Sequence, residues 1–268
     1  LFIHNRTESQ DIYFLSNQDD ACREFTGSFR VSGRFPSLWH PEDGRTTPVL
    51  AYDDDGVRTR IPLGMEPFGS VFVVFGKKDL GLPKRMVFDG EPVVSEPMDL
   101  SGDWSVSFDE TSGIGTVDFP ALVSWTEHDD ERIKYYSGEA VYERSFELPD
   151  AVLSAGDPVV LDLGLLSAMA EVHLNGKPIG ILWKPPYRLD VTKQIHSGIN
   201  RLEVTLVNTW FNRLFYEIVK NPDGPHLLDL SKAPAVKTLH NSIKNRPLMP
   251  SGLFGPVRLV FGARNVVQ

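Results

Sequence analysis

Residues 182–190 have the composition of a sugar-binding surface. The segment reads Leu-Trp-Lys-Pro-Pro-Tyr-Arg-Leu-Asp, and its two adjacent prolines favour a stiff, extended connection. The flat C–H faces of a sugar stack on Trp and Tyr rings, whereas its hydroxyls bond to Asp, Asn and Arg side chains. The candidate carbohydrate-binding residues are therefore Trp183, Tyr187, Arg188 and Asp190.

The same aromatic side chains have a structural alternative. Large aromatics at strand ends more often fill the end of a hydrophobic core than contact a ligand, and this alternative stays open for Trp183 and Tyr187. Burial in a core is the expectation for four further aromatics, which are Trp125, Tyr135, Tyr136 and Trp210. Whether each ring meets solvent decides between the two roles.

The usual catalytic motifs are missing from the sequence. It contains no Gly-x-Ser-x-Gly, Ser-x-x-Lys, His-Glu-x-x-His or Walker loop, so the corresponding enzyme classes are disfavoured. Glycoside hydrolysis needs two facing carboxyl groups about 5 to 9 Å apart, and the 36 Asp and Glu residues offer too many pairs for spacing to select one. We therefore name no catalytic residue. A carboxylate pair assembled between two modules stays as the weaker alternative.

No set of side chains is spaced as metal ligands. The seven histidines occur singly, and the one cysteine, Cys22, excludes an intrachain disulfide and a cysteine-rich zinc site. Residues 53–56 (Asp-Asp-Asp-Gly) lack the ligand positions that complete a calcium loop, so they predict a hairpin turn. His128 lies among acidic residues at 127–131, which is more typical of a charged surface loop than of a cation site. The sequence therefore predicts neither a metal nor a cofactor.

The charge balance disfavours two classes of partner. The 268 residues carry 27 basic and 36 acidic side chains, a formal net charge of −9, whereas nucleic-acid binders usually have a basic excess. No apolar run approaches the roughly 20 residues that cross a bilayer. We expect neither nucleic acid nor membrane as a partner. Because the chain starts Leu1-Phe2-Ile3, without an initiator Met or a signal-peptide layout, we expect it to be part of a longer protein.

Short apolar runs between Gly, Pro, Asp and Asn clusters predict an antiparallel all-β fold. Apolar and polar residues alternate near 25–31, 57–61 and 202–206, which places Phe25 and Val57 on buried strand faces. Residues 71–75 are apolar on both faces, so we expect this strand to lie between two layers. Asn175-Gly176, in which both residues tolerate a positive φ, predicts a type I′ hairpin.

Proline and glycine interrupt the strand pattern at residues 89–97, and this composition predicts a domain junction. Residues 1–92 are expected to form one β-sandwich module. A truncated amino end is an open alternative for this module. Residues 93–268 are expected to form a second β-sandwich module. A long irregular insertion is expected at about 211–255, with a short helix at 214–220, before a closing strand at 257–261.

Motifs spread over nearly the whole chain are those of a known enzyme family. They are residues 11–17 (DIYFLSN), 38–41 (LWHP), 69–75 (GSVFVVF), 136–142 (YSGEAVY), the Asn175-Gly176 hairpin, 183–187 (WKPPY), 208–214 (NTWFNRL) and 250–257 (PSGLFGPV). Together they resemble the carboxy-terminal region of family-106 glycoside hydrolases, the α-L-rhamnosidase-like enzymes. More loosely, the second half resembles the galactose-binding-like jelly roll of β-galactosidase-type enzymes, on Phe146, Leu161, Asn175-Gly176, Asp190-Val191-Thr192 and Gly198-x-Asn200.

The resemblance implies a role but no catalytic residue. In such enzymes the catalytic carboxylates lie on a (β/α)₈ barrel, upstream of the region resembled here, and this chain has no alternation of strand and helix. We therefore expect a noncatalytic accessory β-sandwich region with no activity of its own, which supports the structure and contacts carbohydrate. The implied partners are the catalytic barrel of the parent enzyme and a plant or microbial glycan, and the implied location is extracellular or periplasmic. The alternative is a free-standing carbohydrate-binding protein.

Overall fold

The computed structural model describes residues 1–42, 44–76, 96–150, 153, 158–222 and 242–262. The chain forms two compact units. Unit 1 comprises Leu1–Pro92 with Asn265–Gln268, and unit 2 comprises Val93–Arg264. Most of the predicted junction at 89–97 lies outside the described residues, so the exact domain boundary stays a prediction.

Eight strands are described in unit 1. In chain order they are β1 (Phe2–Arg6), β2 (Asp11–Ser16), β3 (Arg23–Phe29), β4 (Phe35–Trp39), β5 (Thr46–Pro48), β6 (Asp53–Asp54), β7 (Thr59–Met65) and β8 (Ser70–Gly76). Five of them pair in the order β1-β2-β8-β4-β5 and three in the order β3-β7-β6. Both sheets are antiparallel.

Side chains from both sheets of unit 1 fill one hydrophobic core. Tyr13 and Val73 come from the five-stranded sheet, whereas Phe29 and Ile61 come from the three-stranded sheet. Strand β8 is buried on both faces as predicted, except at Phe72, which is only half-buried. Period-two alternation thus places one face of each strand in a shared interior.

Two residues of unit 1 that were predicted to lie on buried strand faces are exposed. Phe25 is 41% exposed and Val57 is 73% exposed. Phe25 lies on β3, which is an edge strand with a mostly exposed burial pattern. Val57 lies in the turn between β6 and β7, where the Asp55 carboxylate accepts hydrogen bonds from the backbone N–H groups of Val57 and Arg58 at 2.9 and 2.7 Å. A hairpin turn joins two strands here as predicted, but it lies at 55–58 and not at 53–56, because Asp53 and Asp54 belong to β6.

Twelve strands are described in unit 2. They are β9 (Met98–Asp99), β10 (Gly102–Phe108), β11 (Thr116–Ala121), β12 (Glu139–Leu148), β13 (Val159–Asp162), β14 (Leu165–Ser167), β15 (Met169–Leu174), β16 (Lys177–Leu182), β17 (Arg188–Asp190), β18 (Gly198–Val207), β19 (Gly252–Gly255) and β20 (Arg258–Phe261). They form a six-stranded sheet (β11-β10-β12-β18-β15-β16), a four-stranded sheet (β17-β13-β20-β9) and the pair β14-β19. The all-β, antiparallel prediction is confirmed.

The six- and four-stranded sheets of unit 2 enclose the larger core. Strand β18 alternates as predicted, with Leu202, Val204 and Leu206 fully buried, and they pack in one cluster with Leu161 and Leu259 of the four-stranded sheet. The predicted hairpin joins β15 to β16, with φ of 55° at Asn175 and 73° at Gly176. The left-handed conformation of both residues is the one that a type I′ turn requires.

The predicted insertion at 211–255 is partly regular. A short helix, α2 (Phe211–Phe215), begins three residues before the predicted one and continues as a π-helical turn at Tyr216–Lys220. Strand β19 also lies in this range and pairs with β14. Residues 223–241 lie outside the described part of the chain. A second short helix of unit 2, α1 (Glu131–Lys134), precedes β12. Within the described residues, no helix is long and apolar enough to span a bilayer.

Candidate functional site

Of the two predicted site residues that carry an aromatic ring, Trp183 is the more exposed. Its side chain follows the end of β16, the edge strand of the six-stranded sheet, and is 60% exposed. Tyr187 is different, because it is partly buried against the core of unit 2. The alternative that these aromatics fill the end of the core therefore applies to Tyr187 and not to Trp183.

The two charged residues of the predicted site form hydrogen bonds with neighbouring residues. The Arg188 Nε donates to the Asp162 carboxylate at 2.8 Å. The Asp190 carboxylate accepts from the backbone N–H and the hydroxyl of Thr192 at 2.9 and 2.5 Å. Within the described residues, no hydrogen bond or ring contact joins Trp183 to either of them. The four residues therefore lie along one segment without forming a closed cluster.

A cleft that the sequence analysis did not predict is lined by four aromatic side chains, Tyr135, Tyr136, Trp210 and Tyr216. Trp125, Tyr135 and Tyr136 are buried as expected, but Trp210 is 52% exposed, which corrects the expectation for that residue. Trp210 lies at the rim of a cleft of about 680 Å³, formed by residues of three segments, 109–114, 131–139 and 210–216. We call this the Trp210 cleft. The polar pair Asn212-Arg213, close to Trp210 in the sequence, is the sequence signal that could have indicated this cleft.

Buried amides hold the wall formed by residues 136–139. Asn208 Nδ2 donates to the backbone carbonyl of Tyr136 at 2.8 Å, and its Oδ1 accepts from the N–H of Gly138 at 2.9 Å. The Tyr136 hydroxyl donates to the carbonyl of Glu139 at 2.7 Å. Asn208 and Tyr136 are less than one-tenth exposed, so these bonds are shielded from water and fix the wall.

The opposite wall is formed by α2 and the turn after it. Asn212 is buried, and its amide pairs with both backbone groups of Met249, donating at 2.7 Å and accepting at 2.9 Å. Arg213 Nε donates to the buried Glu217 carboxylate at 2.6 Å, and its guanidinium carbon lies 5.9 Å from the Tyr216 ring centroid. The helix that begins directly after Trp210 is thus anchored on its inner side.

Three carboxylates line the Trp210 cleft. Hydrogen bonds from the hydroxyl and N–H of Thr111 lower the pKa of Asp109, so it stays ionised in neutral solution. Glu131 and Glu139 are both exposed. Tyr135 lies 4.9 Å from Tyr216 between ring centroids, and burial together with the Glu131 charge raises the pKa of the Tyr135 hydroxyl. The cleft therefore presents anionic acceptors beside aromatic rings.

Other titratable groups do not assemble a metal centre in the part of the chain that the structure describes. His128 is used locally, since its Nδ1 accepts from the N–H of Asp130 at 3.0 Å and its ring lies 5.5 Å from that of Phe119. The acidic run around it serves α1, because the Asp130 side chain caps that helix. These contacts agree with the interpretation of 127–131 as a charged loop.

Two family models match parts of this chain. Residues 1–54 match a model described as alpha-L-rhamnosidase, and residues 124–225 match one described as glycosyl hydrolase 2 galactose-binding domain-like. The resemblance noted from the sequence is therefore confirmed at the level of homology to both groups. The first match lies in unit 1, and the second lies in unit 2.

Individual proteins are also similar to this chain. A rhamnosidase structure from Novosphingobium sp. PP1Y is 34% identical with a TM-score of 0.79, covering 97% of this chain and 23% of that one. A protein of Formosa agariphila named "Putative beta-glucuronidase" is 39% identical over 184 residues, which are 62% of this chain and 16% of that protein. A beta-D-glucuronidase structure from Dictyoglomus thermophilum is 22% identical, with a TM-score of 0.45 over 66% of this chain and 29% of that one. The chain thus spans less than a quarter of the first two.

Proposed function

We propose that this chain is a noncatalytic accessory β-sandwich region of an α-L-rhamnosidase-like glycoside hydrolase. The observation that carries the proposal is the likeness to the Novosphingobium rhamnosidase, which extends over nearly all of this chain but less than a quarter of that one. A region of this kind supports the catalytic region to which it is joined. Its partner is then the catalytic barrel of the parent enzyme, and its location is extracellular or periplasmic.

The ion pairs formed by the buried acidic residues support this role. Among the described residues, the buried carboxylates belong to Asp11 and Glu217, and each forms an ion pair with arginine. Asp11 lies 2.6 Å from Arg6, and Glu217 lies 2.6 Å from Arg213. An arginine neutralises the charge of the carboxylate that it binds. The two catalytic carboxyl groups of a glycosidase must instead face a sugar across a gap. The two residues also belong to different units.

The test is an assay of the purified chain on nitrophenyl α-L-rhamnoside. We expect no release of nitrophenol by the chain alone at high protein concentration, with its folding checked by near-UV circular dichroism. The full-length protein encoded in the same reading frame, assayed in parallel, should hydrolyse the substrate. Turnover by the chain alone that scales with its concentration would overturn the proposal.

A second candidate function is carbohydrate binding by a free-standing protein. The observation that favours it is the exposed indole of Trp183 on the segment that also carries Tyr187, Arg188 and Asp190. Calorimetric titration with rhamnose- and galactose-containing oligosaccharides tests it, with Trp183→Ala as the variant that should remove binding. Absence of heat at millimolar ligand would count against this candidate.

A further inference from the structure

The outward face of the five-stranded sheet in unit 1 carries no charged side chain. Residues directly opposite each other on neighbouring strands share a face of the sheet. The register therefore places the odd-numbered residues of β1 and β4 and the even-numbered residues of β2, β5 and β8 on the side away from the core. None of these positions holds Asp, Glu, Lys or Arg, although 24% of the chain is charged. We call these positions the uncharged face.

One row of the uncharged face is apolar across four strands. Its members are the consecutive cross-strand partners Ile3, Phe14, Phe72 and Trp39. Ile3 is 59% exposed and Trp39 is 40% exposed, whereas the two phenylalanines are half-buried, with 5.0 Å between their ring centroids. The row lies outside the hydrophobic cluster of unit 1, to which β2 and β8 contribute only inward side chains. A contiguous exposed apolar patch of this kind usually marks an interaction surface.

The other outer face of unit 1 has the composition of a surface in water. On the three-stranded sheet, the positions away from the core include Glu24, Asp53 and Arg60, and Arg60 lies 3.2 Å from Asp53. An antiparallel sheet with one solvated face usually carries polar residues there. The uncharged face instead shows the depletion of charge that is typical of the centre of an interface.

The size of the uncharged face favours one kind of partner. Five strands about 4.8 Å apart and about five residues long give a face of about 400 Å². A stable interface between separate proteins buries about 800 Å² on each partner, so this face is too small to hold a second copy of the chain by itself. Two such faces reach the roughly 600 to 1,500 Å² that is typical between regions of one polypeptide, where the covalent link supplies a high effective concentration.

We propose that the uncharged face of unit 1 docks against an apolar, uncharged layer of the parent enzyme that lies outside this chain. The inference rests on the proposed function, and it names the surface by which the accessory region is held. The Novosphingobium rhamnosidase has room for such a layer, because the matched region is 23% of that protein. A charged partner surface does not fit, since an ion buried against this face would find no opposite charge there.

The test is hydroxyl-radical labelling, read by mass spectrometry, of this chain and of the full-length protein encoded in the same reading frame. We expect labelling of Trp39 to fall about fivefold in the full-length protein, because a docked face excludes water. Phe25 is the matched control, since it is 41% exposed in the same unit but lies on the other sheet, and its labelling should be equal in the two proteins. Buried Met65 should stay unlabelled wherever unit 1 is folded.

Substitutions on the uncharged face should release it. In the full-length protein, Phe72→Glu should return the labelling of Trp39 to within about twofold of its level in the isolated chain, because docking would bury a carboxylate. Ile3→Glu is the second variant and should act in the same direction. Its side chain is exposed in the chain, so the fold of unit 1 tolerates the change. Phe25→Glu, the control, should leave Trp39 protected.

Three outcomes would overturn the inference. They are equal labelling of Trp39 in the chain and the full-length protein, equal protection of Trp39 and Phe25, and protection of Trp39 that survives both Phe72→Glu and Ile3→Glu. Protection in the isolated chain that rises with its concentration would assign the face to a second copy instead. The hydrolysis assay is read separately. An inactive chain, an active full-length protein and equal labelling of Trp39 would remove only this inference, whereas turnover by the chain would remove the accessory role.

Discussion

The hydroxyl of Tyr142 organises polar groups inside unit 2. It accepts hydrogen bonds from the indole N–H of Trp125 at 2.6 Å and from the backbone N–H of Leu253 at 3.1 Å. Burial raises the pKa of Tyr142 well above its ordinary value, so the phenol stays neutral over the whole working range of pH. One atom thereby joins the 3-10 turn at Trp125–Glu127, strand β12 and strand β19.

We expect Tyr142→Phe to lower the free energy of unfolding by about 3 kcal/mol, because two buried donors lose their acceptor. Urea unfolding followed by fluorescence measures the change. The matched control is Tyr187→Phe, since the Tyr187 hydroxyl has no hydrogen bond within the described residues, and it should change stability by less than about 0.5 kcal/mol. Equal losses in the two variants would contradict the assigned role.

In unit 1, the buried carboxylate of Asp11 organises the polar groups around it. Its carboxylate is buried and lies 3.1 Å from His4 Nε2, 2.6 Å from Arg6 Nε and 3.2 Å from the Arg34 guanidinium. Burial by itself raises the pKa of Asp11, but the hydrogen bonds from Arg6 and His4 and the charges of both arginines lower it below its ordinary value of 3.8. Folding therefore favours the ionised form.

This shift predicts a specific dependence of stability on pH. A carboxylate whose folded pKa is depressed stabilises the fold above its unfolded pKa, and the contribution is lost as the pH falls through the folded pKa. We expect Asp11→Asn to cost about 2 kcal/mol at pH 7, with the difference from wild type shrinking below pH 3.8. Urea unfolding at a series of pH values measures it.

Asp19 provides the control for this experiment. It pairs with Arg23 at 2.5 Å, but both side chains are more than half exposed, and exposed pairs contribute little. Asp19→Asn should therefore change stability by less than about 1 kcal/mol at pH 7. A gap between wild type and Asp11→Asn that stays constant down to the lowest pH would show that ionisation of Asp11 is not the cause.

At the scale of elements, the hairpin between β15 and β16 depends on one asparagine. Asn175 has φ of 55°, its Nδ2 donates to the carbonyl of Gln194 and to Asn200 Oδ1, and its Oδ1 accepts from the N–H of Arg201, each at 2.9 Å. The side chain thus ties the turn to β18 and to the segment before it. Asn175 therefore both adopts the backbone conformation that the turn requires and forms tertiary hydrogen bonds.

We expect Asn175→Ala to cost about 3 kcal/mol, because alanine is strained at positive φ and the hydrogen bonds of the amide are lost. Asn175→Gly keeps the backbone conformation and loses only the hydrogen bonds, so it should cost roughly half as much. Chemical unfolding measures both. If the two variants were equally stable, backbone conformation would not contribute at this turn.

The approximate position of helix α2 could be predicted from the sequence, but the exposure of the side chains on and beside it could not. Which side of the helix faces solvent depends on the pairing of Asn212 with Met249, 37 residues later in the chain. Asn212 is buried in this pairing, whereas Trp210, two residues earlier, is 52% exposed. Trp210 was expected in a core because large aromatic side chains are usually buried, and no local pattern indicates a pairing so far along the chain.

At the scale of the whole molecule, the described residues form two hydrophobic clusters, one in each unit. Ile61 is fully buried in the cluster of unit 1. We expect Ile61→Ala to destabilise unit 1 by about 3 kcal/mol through lost contacts and a residual cavity. Amide hydrogen exchange should accelerate in β7 and β8, while exchange in β12 and β18 stays unchanged.

Ile3 is the control for the core substitution, because it lies in the same unit with 59% of its surface exposed. Ile3→Ala should change stability by less than about 0.5 kcal/mol. Faster exchange in β12 and β18 of the Ile61→Ala protein would show that the two cores unfold as one. That outcome would contradict the independence that the separate clusters predict.

The sequence alone determined the features that depend on near neighbours. Alternation at residues 202–206 has the period of a strand, and Asn175-Gly176 adopts positive φ more easily than other pairs, so both were confirmed. Only the tertiary structure decided which side chains remain exposed to solvent. Phe25, Val57, Trp183 and Trp210 are exposed because burial requires another element to cover a side chain. That element comes from a distant part of the chain, which local pattern does not specify.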